Sequence, residues 1–270
     1  MAARRMRLDA ELVRRGLARS REHASELVAA GRVRIAGSAA TKPATQVDLA
    51  AAIVVDDAGG QDEYVSRGAH KLIGALDAFG VDVTGRRCLD AGASTGGFTD
   101  VLLRRGAGHV VAVDVGYGQM AWSLRTDERV TVLERTNVRT LEPDQVAPAP
   151  TLVVADLSFI SLTLVLPAFV RCAATDAEHV LMVKPQFEVG REALGAGGVV
   201  RSADLRAGAV RTVADAASAA GLGVLGVAAS PLPGPSGNVE YFLHLTAGAP
   251  ALSEDDLGRA IAEGPQAGLS

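Results

Sequence analysis

The feature that most constrains the fold is an alternation of short apolar segments with helical segments after residue 67. The apolar segments read RRCLDAG, HVVAVDVG, TVLER, TLVVADLS and HVLMVKP. Strands that alternate with helices predict a parallel, doubly wound α/β sheet. Two later segments, GLGVLGVAAS and VEYFLHL, flank the turn-rich PLPGPSGN, so we expect them to pair antiparallel at a sheet edge. The predicted fold class is therefore α/β, with a Rossmann-like, mostly parallel sheet and an antiparallel last strand.

A basic segment precedes this sheet. Residues 1–43 hold ten Arg and Lys residues against four acidic ones, whereas the other 227 residues hold 17 basic and 27 acidic ones. Such an asymmetry predicts that the basic segment binds a polyanion, and a solvated, arginine-rich helix face is the alternative. Helical spacing over residues 7–31 predicts two short helices, the second capped by Ser20 and stopped by Gly31.

Changes in composition along the chain predict the domain boundaries and the cellular location. We predict a small α+β domain at residues 1–60, a linker at 61–66, the sheet domain at 67–248 and an acidic, frayed tail at 249–270. No apolar run approaches the ~18 residues that cross a bilayer, and no apolar stretch follows the N-terminal charges. Cys88 and Cys172 are too few for a disulfide framework and are predicted to be buried. We therefore expect a cytoplasmic protein, monomeric by default and without membrane association.

The sharpest local motif is CLDAGASTGGFT at residues 88–99. A buried strand ends here in a glycine-rich turn that opens a helix, an arrangement that brings backbone N–H groups close to a ligand. Asp114 ends the next strand, 22 residues beyond Gly92, where a carboxylate can bind ribose hydroxyls. Ser94 interrupts the G-x-G-x-x-G pattern of dinucleotide sites, and Asp90 suits a cationic amino-acid group. The loop therefore favours S-adenosylmethionine (SAM) over NAD, with a ligand-free turn as the third interpretation.

Four charged residues are predicted to meet at the carboxyl edge of the sheet. The chain has 24 arginines but only three lysines, and two of these, Lys71 and Lys184, lie near predicted strand ends. Asp156 follows TLVVA, and Glu240 opens the last strand. Lys184, kept neutral by desolvation and by the positive Lys71, could remove the proton of a ribose 2′-hydroxyl without a metal. Exposed strand-end charges with no common role are the alternative.

Other methylation chemistries fit less well. The segment DLSF at residues 156–159 lacks the Pro-Pro pair typical of amino-methylating enzymes, and no cysteine stands where a carbon-5 pyrimidine methylase needs its nucleophile. Phe159 could stack on a flipped base, and a core position is the alternative. Tyr117 and Trp122 are predicted to be packing residues.

The N-terminal segment is similar to a known RNA-binding fold. RLDAELVRRGLARSREHASELVAAGRVRIAG, followed by TKPATQV, resembles the S-four (S4) domain. That resemblance implies binding of structured RNA by a basic helix pair. The phosphate contacts that it implies are Arg5, Arg7, Arg15, Arg19, Arg21 and Lys42.

The rest of the chain carries a second resemblance. SRGAHKL, LDAGASTGGFTD, VVAVDVGYGQ, ADLSFISL, VKPQFE and GNVEYF, in this order, resemble the TlyA family of ribosomal RNA 2′-O-methyltransferases, which have an FtsJ-like catalytic domain and are sometimes labelled haemolysin A. The resemblance implies SAM-dependent 2′-O-methylation of a cytidine in the RNA of one or both ribosomal subunits. Ala69 departs from the family's SRGG.

The same resemblance implies the roles of individual residues. The implied catalytic residues are Lys71, Asp156, Lys184 and Glu240. The cofactor-binding residues expected from the motif and the resemblance together are Asp90, Gly92, Ala93, Ser94, Thr95, Gly96, Gly97, Phe98, Thr99, Asp114, Val115, Asn137, Val138 and Asp156. Arg67 and Phe159 complete the expected RNA-binding set.

Three rival functions remain open on the sequence. A membrane-active haemolysin is suggested by the family's older label, but the lack of a membrane-length segment and the acidic body disfavour it. A pseudouridine synthase is suggested by the tripeptide Arg7-Leu8-Asp9, but that tripeptide falls inside the basic helix of the small domain. A non-catalytic RNA-binding or ribosome-associated protein is the third. Binding of SAM separates all three from a methyltransferase.

Overall fold

The computed structural model describes residues 5–18, 20–48, 51–55, 64–190, 192, 194–234 and 236–264. The chain divides into two compact units, residues 1–63 and 64–270. Residues 61–63 of the predicted linker lie outside the described residues, whereas Tyr64 and Val65 pack against the core of the second unit. No helix in the described ranges is long and apolar enough to cross a membrane.

The first unit is a small α+β body. Its elements are β1 (Arg5–Arg7), α1 (Leu8–Arg14), α2 (Arg21–Ala29), β2 (Val33–Ile35), β3 (Ser38–Ala39), β4 (Gln46–Asp48) and β5 (Ile53–Val55). Strand β1 pairs antiparallel with β4, and β2 pairs antiparallel with both β3 and β5. Ser20 caps α2, because its hydroxyl accepts a hydrogen bond from the N–H of His23 at 3.1 Å. Leu8 and Leu12 are fully buried between the helices and strands of this unit.

The second unit is built around one large sheet. Its helices are α3 (Ala69–Phe79), α4 (Gly97–Arg104), α5 (Trp122–Arg125), α6 (Pro143–Val146), α7 (Leu166–Cys172), α8 (Pro185–Glu188), α9 (Ala203–Ala219) and α10 (Glu254–Glu263). Its strands are β6 (Arg87–Ala91), β7 (His109–Val113), β8 (Val130–Leu133), β9 (Leu152–Ala155), β10 (Glu178–Val183), β11 (Leu222–Ala229) and β12 (Tyr241–Ala247).

The order of the strands confirms the predicted fold class. In the described part of this unit the strands run β11-β12-β10-β9-β6-β7-β8. Strands β8, β7, β6, β9 and β10 are mutually parallel, and β12 pairs antiparallel with both β10 and β11. Apolar clusters cover both faces of the sheet, which explains why its central strands read as continuous apolar runs.

The prediction of a frayed tail from residue 249 is wrong for its described part. Ser253 caps helix α10, whose Leu257 and Ala260 are buried against the main core cluster. Three of its acidic residues, Glu254, Asp255 and Asp256, lie in the first turn of the helix, where the helix dipole favours them. Residues 265–270 lie outside the described residues.

Candidate active site

Three of the four predicted catalytic residues stand at neighbouring strand ends. Asp156 is the first residue after β9, and Lys184 is the first residue after the adjacent strand β10. Glu240 immediately precedes β12, which runs antiparallel beside β10. The strand order therefore brings these residues to one edge of the sheet, where open α/β sheets bind their ligands.

The four residues form two ion pairs. Lys184 Nζ lies 2.5 Å from Asp156 Oδ1, and Lys71 Nζ lies 2.6 Å from Glu240 Oε2. Both lysines and Glu240 are buried, so these three charges depend on their partners more than on water, whereas Asp156 is partly exposed. Lys184 Nζ also donates a hydrogen bond to Ser158 Oγ at 3.0 Å, a contact that the sequence did not reveal.

Lys71 is positioned by the start of helix α3. The N–H of Val65 donates to Asp100 Oδ2 at 2.9 Å, which fastens the segment before α3 to helix α4. A Cβ on Gly97 would overlap Ser66 Oγ and lie 3.2 Å from the N atom of Ala69, so the two helix starts touch closely. Ala69 is fully buried within α3 and accommodates its methyl group there.

The glycine-rich turn lies against the catalytic strand ends. Gly92 has a φ of +85°, and a Cβ there would lie 2.6 Å from the backbone O atom of Asp156. Gly96 has a φ of +96°, and a Cβ there would overlap the side chain of Leu124. Only glycine fits at either position without displacing its neighbours. The backbone of this turn can therefore approach a ligand closely.

Asp114 joins the turn to the loop that follows β7. Its Oδ2 accepts a hydrogen bond from the N–H of Ser94 at 2.8 Å, and its Oδ1 accepts one from the N–H of Gly116 at 2.6 Å. Asn137 begins a short 3-10 helix, where its side chain accepts a hydrogen bond from the N–H of Arg139. Both side chains are thus held in place at the cavity described next.

A cavity of about 500 Å³ opens at this edge of the sheet, a size that suits a small-molecule cofactor. The predicted cofactor residues that line it are Gly92, Ser94, Asp114, Val115, Asn137, Val138 and Asp156. Sequence reasoning missed Gln119, Leu157, Ser158, Ile160 and Val165, which also line it. Leu157, Ser158 and Ile160 lie within four residues of Asp156, so closeness to Asp156 in the sequence was the available signal.

The remaining predicted cofactor residues do not line this cavity. They are Asp90, Ala93, Thr95, Gly96, Gly97, Phe98 and Thr99. Phe98 packs in the core, with its ring centroid 6.3 Å from that of Phe242, because the first turn of α4 faces the sheet. The side chain of Phe98 therefore belongs to the core, and the prediction that it contacts the cofactor is wrong.

Asp90 is a buried carboxyl group with one unused oxygen. Its Oδ2 accepts a hydrogen bond from Thr99 Oγ1 at 2.7 Å, and among the described residues its Oδ1 has no hydrogen-bond partner. Burial raises the pKa of Asp90 to about 7. A cationic amine would satisfy both the unused oxygen and the charge, so the residue fits the ammonium group of SAM. Across the described ranges, no group of three or more His, Cys, Asp or Glu residues could hold a metal ion.

Three of the predicted RNA-binding arginines of the first unit are held by two buried carboxylates. Asp9 accepts hydrogen bonds from Arg7 at 2.7 Å and from Arg21 at 3.0 Å. Glu11 accepts one from Arg15 at 2.6 Å. Arg7 and Arg21 are exposed, and so are Arg5 and Lys42, whereas Arg15 is half-buried. Arg19 lies outside the described residues.

The acidic residue of the tripeptide Arg7-Leu8-Asp9 is buried and hydrogen-bonded within the first unit. Asp9 is 3% exposed, and the hydrogen bond from Arg7 holds its pKa far below the usual range. A carboxylate enclosed by its own helix and guanidinium partners is not placed to attack a base. The arrangement gives no support to a pseudouridine synthase.

Three aromatic residues of the second unit are exposed to solvent. Phe159 is 90% exposed, so the core alternative is wrong, and its ring centroid lies 5.3 Å from that of Phe187. Tyr117 and Trp122 are 65% and 76% exposed, so the prediction that they are packing residues is wrong. The loop and short helix that carry them bury Met120 and Leu124 instead. Arg67 is also exposed.

Comparisons with known proteins agree with this architecture. A family model of FtsJ-like methyltransferases matches residues 64–247, and a model of the S4 domain matches residues 6–53. The chain is 64% identical over 269 residues to the 16S/23S rRNA (cytidine-2′-O)-methyltransferase TlyA of Mycobacterium tuberculosis, covering 97% of this chain and 100% of the relative.

Two further relatives carry a different label. Hemolysin A of Brachyspira hyodysenteriae is 36% identical over 241 residues, 88% of this chain and 99% of that protein. A solved structure of a proposed hemolysin from Streptococcus thermophilus has a TM-score of 0.72 and 38% identity, covering 97% of this chain and 96% of that one.

Proposed function

Because this chain belongs to the TlyA family of FtsJ-like methyltransferases, which use S-adenosylmethionine, we propose that it transfers a methyl group to a ribose 2′-hydroxyl in ribosomal RNA. The substrate nucleotide is a cytidine in the RNA of the small subunit, the large subunit or both. Its M. tuberculosis relative is named for cytidines of both the 16S and 23S RNA. We further propose that the enzyme acts as a cytoplasmic monomer and needs no metal.

The observation that carries this proposal is the pair of buried lysine–carboxylate contacts beside the cavity. Lys184 Nζ lies 2.5 Å from Asp156, which itself forms part of the cavity wall. A hydroxyl is a poor nucleophile until it loses its proton, and a buried amine beside the reacting group can accept that proton. The site offers such an amine next to the place where the cofactor binds.

The cofactor would be held by the turn after β6 and by the loops after β7 and β8. Asp90 suits its ammonium group, Asp114 its ribose and Val138 its base. When bound, SAM supplies a methyl group on a positively charged sulfur. The residues of the chain align the hydroxyl with that group and manage the proton.

Whether Lys184 can accept a proton depends on its contact with Asp156. A carboxylate at 2.5 Å favours the ammonium form of Lys184, which cannot accept a proton. A positive charge brought into the cavity would compete for Asp156 and favour the neutral amine. Glu240 pairs with Lys71 in the same way, so the charge of Lys71 is balanced within the site. We therefore propose that binding of the positively charged cofactor frees Lys184 to act as the base.

RNA binding is assigned to three sets of residues. In the first unit, basic side chains would contact phosphates. The exposed ones are Arg5, Arg7, Arg21 and Lys42. The half-buried Arg15 belongs to the same set, and so does Arg19, which lies outside the described residues. In the second unit, Arg67 would contact a phosphate. Phe159, which is 90% exposed and belongs to the cavity wall, would stack on the base of the target nucleotide.

The experiment that tests this function uses methyl-labelled SAM and isolated ribosomal subunits. We expect label at alkali-resistant linkages of cytidines, since a methylated 2′-oxygen cannot attack the adjacent phosphate. Lys184→Ala is expected to abolish labelling while it still binds SAM. Lys42→Ala is the matched control, because it alters the first unit and should lower RNA affinity without preventing transfer at saturating RNA.

Three results would count against the proposal. Label on a base rather than on a ribose would exclude the hydroxyl chemistry. SAM binding without any transfer to RNA would leave a non-catalytic RNA-binding protein. Lysis of red blood cells by the purified chain, abolished by neither variant, would support the haemolysin alternative.

A further inference from the structure

The connections that follow β9 and β10 are tied together near their starts. Lys184, which begins the second connection, contacts Asp156 at 2.5 Å and Ser158 at 3.0 Å in the first. Farther along, the ring of Phe187 lies 5.3 Å from that of Phe159. The two connections therefore run side by side along the edge of the sheet.

Glu188 makes the third tie between them. Its Oε2 accepts a hydrogen bond from Ser161 Oγ at 2.5 Å, and its Oε1 accepts one from the N–H of Leu162 at 2.9 Å. Ser161 in turn accepts a hydrogen bond from the N–H of Thr163 at 3.1 Å. Both oxygens of one carboxylate thus hold the end of the connection that follows β9.

Burial opposes the negative charge of this carboxylate. Within the described ranges Glu188 forms no ion pair, and burial raises its pKa above the usual range. A partly buried carboxylate without a cation destabilises a folded protein unless hydrogen bonds offset its desolvation. Its position is therefore better explained by what it holds than by a contribution to stability.

The segment that it holds, residues 157–161, is strained and belongs to the site. Phe159 has a φ of +65°, a conformation that bulky side chains rarely adopt and that persists only when the surroundings fix it. Leu157, Ser158, Phe159 and Ile160 all line the cofactor cavity. A shift of this segment would move Ser158 away from Lys184 and change the wall of the cavity.

We propose that Glu188 is a positioning residue for methyl transfer, because its carboxylate fixes segment 157–161 and so keeps Ser158 within hydrogen-bonding distance of Lys184. This inference rests on the proposed function. It assigns Glu188 no contact with the substrate or the cofactor.

The test compares two substitutions of nearly the same size. Glu188→Gln keeps an acceptor for the N–H of Leu162 and can donate to Ser161, so we expect kcat within about threefold of the wild type. Glu188→Leu fills the same space without either hydrogen bond, and we expect kcat to fall at least about tenfold. The dissociation constant of SAM should change much less than kcat, because the opposite wall of the cavity is intact.

A double-mutant cycle connects the effect to Ser158. Ser158→Ala alone is expected to lower kcat, and Glu188→Leu in that background should lower it little further, since the two residues act through one segment. Unfolding temperatures are measured for all four proteins. Glu188→Leu should unfold at a temperature close to that of the wild type. The loss of two hydrogen bonds destabilises the fold, whereas the loss of a desolvated charge stabilises it.

Several outcomes would contradict the inference. Unchanged kcat in Glu188→Leu would remove any positioning role. Parallel losses of unfolding temperature, SAM affinity and kcat would show a purely structural role. Additive effects in the cycle would show that Glu188 does not act through Ser158. If the wild type itself does not methylate RNA, the proposed function fails instead, which separates the two failures.

Discussion

Lys71 Nζ and Glu240 Oε2 lie 2.6 Å apart, although 169 positions separate the two residues in the chain. Lys71 lies in the helix that precedes the sheet, and Glu240 is the residue before the last strand. Both are buried, so the pair connects the two ends of the catalytic unit through a contact from which water is largely excluded. The active site is complete only when the whole unit is folded.

Glu240→Ala is therefore expected to destabilise the protein strongly. It leaves the buried ammonium of Lys71 without a partner, which costs about 3–5 kcal/mol in comparable sites. Glu254→Ala is the matched control, because its partner Arg211 and its own side chain are both exposed, and exposed ion pairs contribute little to stability. Urea unfolding of both variants measures the difference, and equal losses would contradict the prediction. Replacing both partners, as Lys71→Met with Glu240→Leu, should recover stability but not activity.

Asp90→Asn should separate stability from cofactor binding. Burial raises the pKa of Asp90 to about 7, so its favourable contribution to folding is fully present below its ordinary pKa near 4 and is lost as the pH rises through 7. We expect the variant to unfold at a higher temperature than the wild type at pH 8 and at a similar one at pH 5. SAM affinity at pH 8, measured by calorimetry, should fall because the carboxylate is gone. A variant that is less stable at pH 8 would show that the ionised carboxylate supports the fold.

Gly92→Ala should impair the site more than the fold. A Cβ there would lie 2.6 Å from the backbone oxygen of Asp156, at a φ of +85°. Gly80→Ala is the control, because Gly80 has a φ of +65° and open space around it, so it adds backbone strain of about 1–2 kcal/mol alone. We expect Gly92→Ala to lower kcat about a hundredfold by displacing Asp156, whereas Gly80→Ala retains activity. Steady-state kinetics with thermal melts measures both, and comparable kcat values would refute the clash.

Arg21→Ala should weaken RNA binding through its charge. Arg21 is exposed and donates to Asp9, which also holds Arg7, so the substitution removes one cation from a group with a defined geometry. Affinity for ribosomal RNA should fall at every target sequence, and the slope of log K against log salt should drop by about one. Arg211→Ala changes an arginine of the second unit and should leave the slope unchanged. Filter binding across a salt series measures it, and an unaltered slope in Arg21→Ala would exclude a phosphate contact.

Sequence reasoning succeeded where the signal was local. The strand–helix alternation, the antiparallel last strand and the Ser20 cap each depend on residues close together in the chain, and the structure has all three. It failed for the tail and for Tyr117 and Trp122. Whether Leu257 is buried or Trp122 exposed depends on which surfaces meet in the fold, and composition contains no information on that.

The sequence by itself determined the fold class, the glycine-rich turn and the identity of the four charged residues at the sheet edge. Periodicity, turn chemistry and strand-end position are properties of short segments, so they can be read without knowing the fold. Only the tertiary structure decided that Lys184 pairs with Asp156 and Lys71 with Glu240, and that Glu188 holds the segment after Asp156. Those contacts depend on strand order and on side-chain geometry at distances of a few ångströms, because hydrogen bonds and buried charges are sensitive to separations that sequence spacing does not specify.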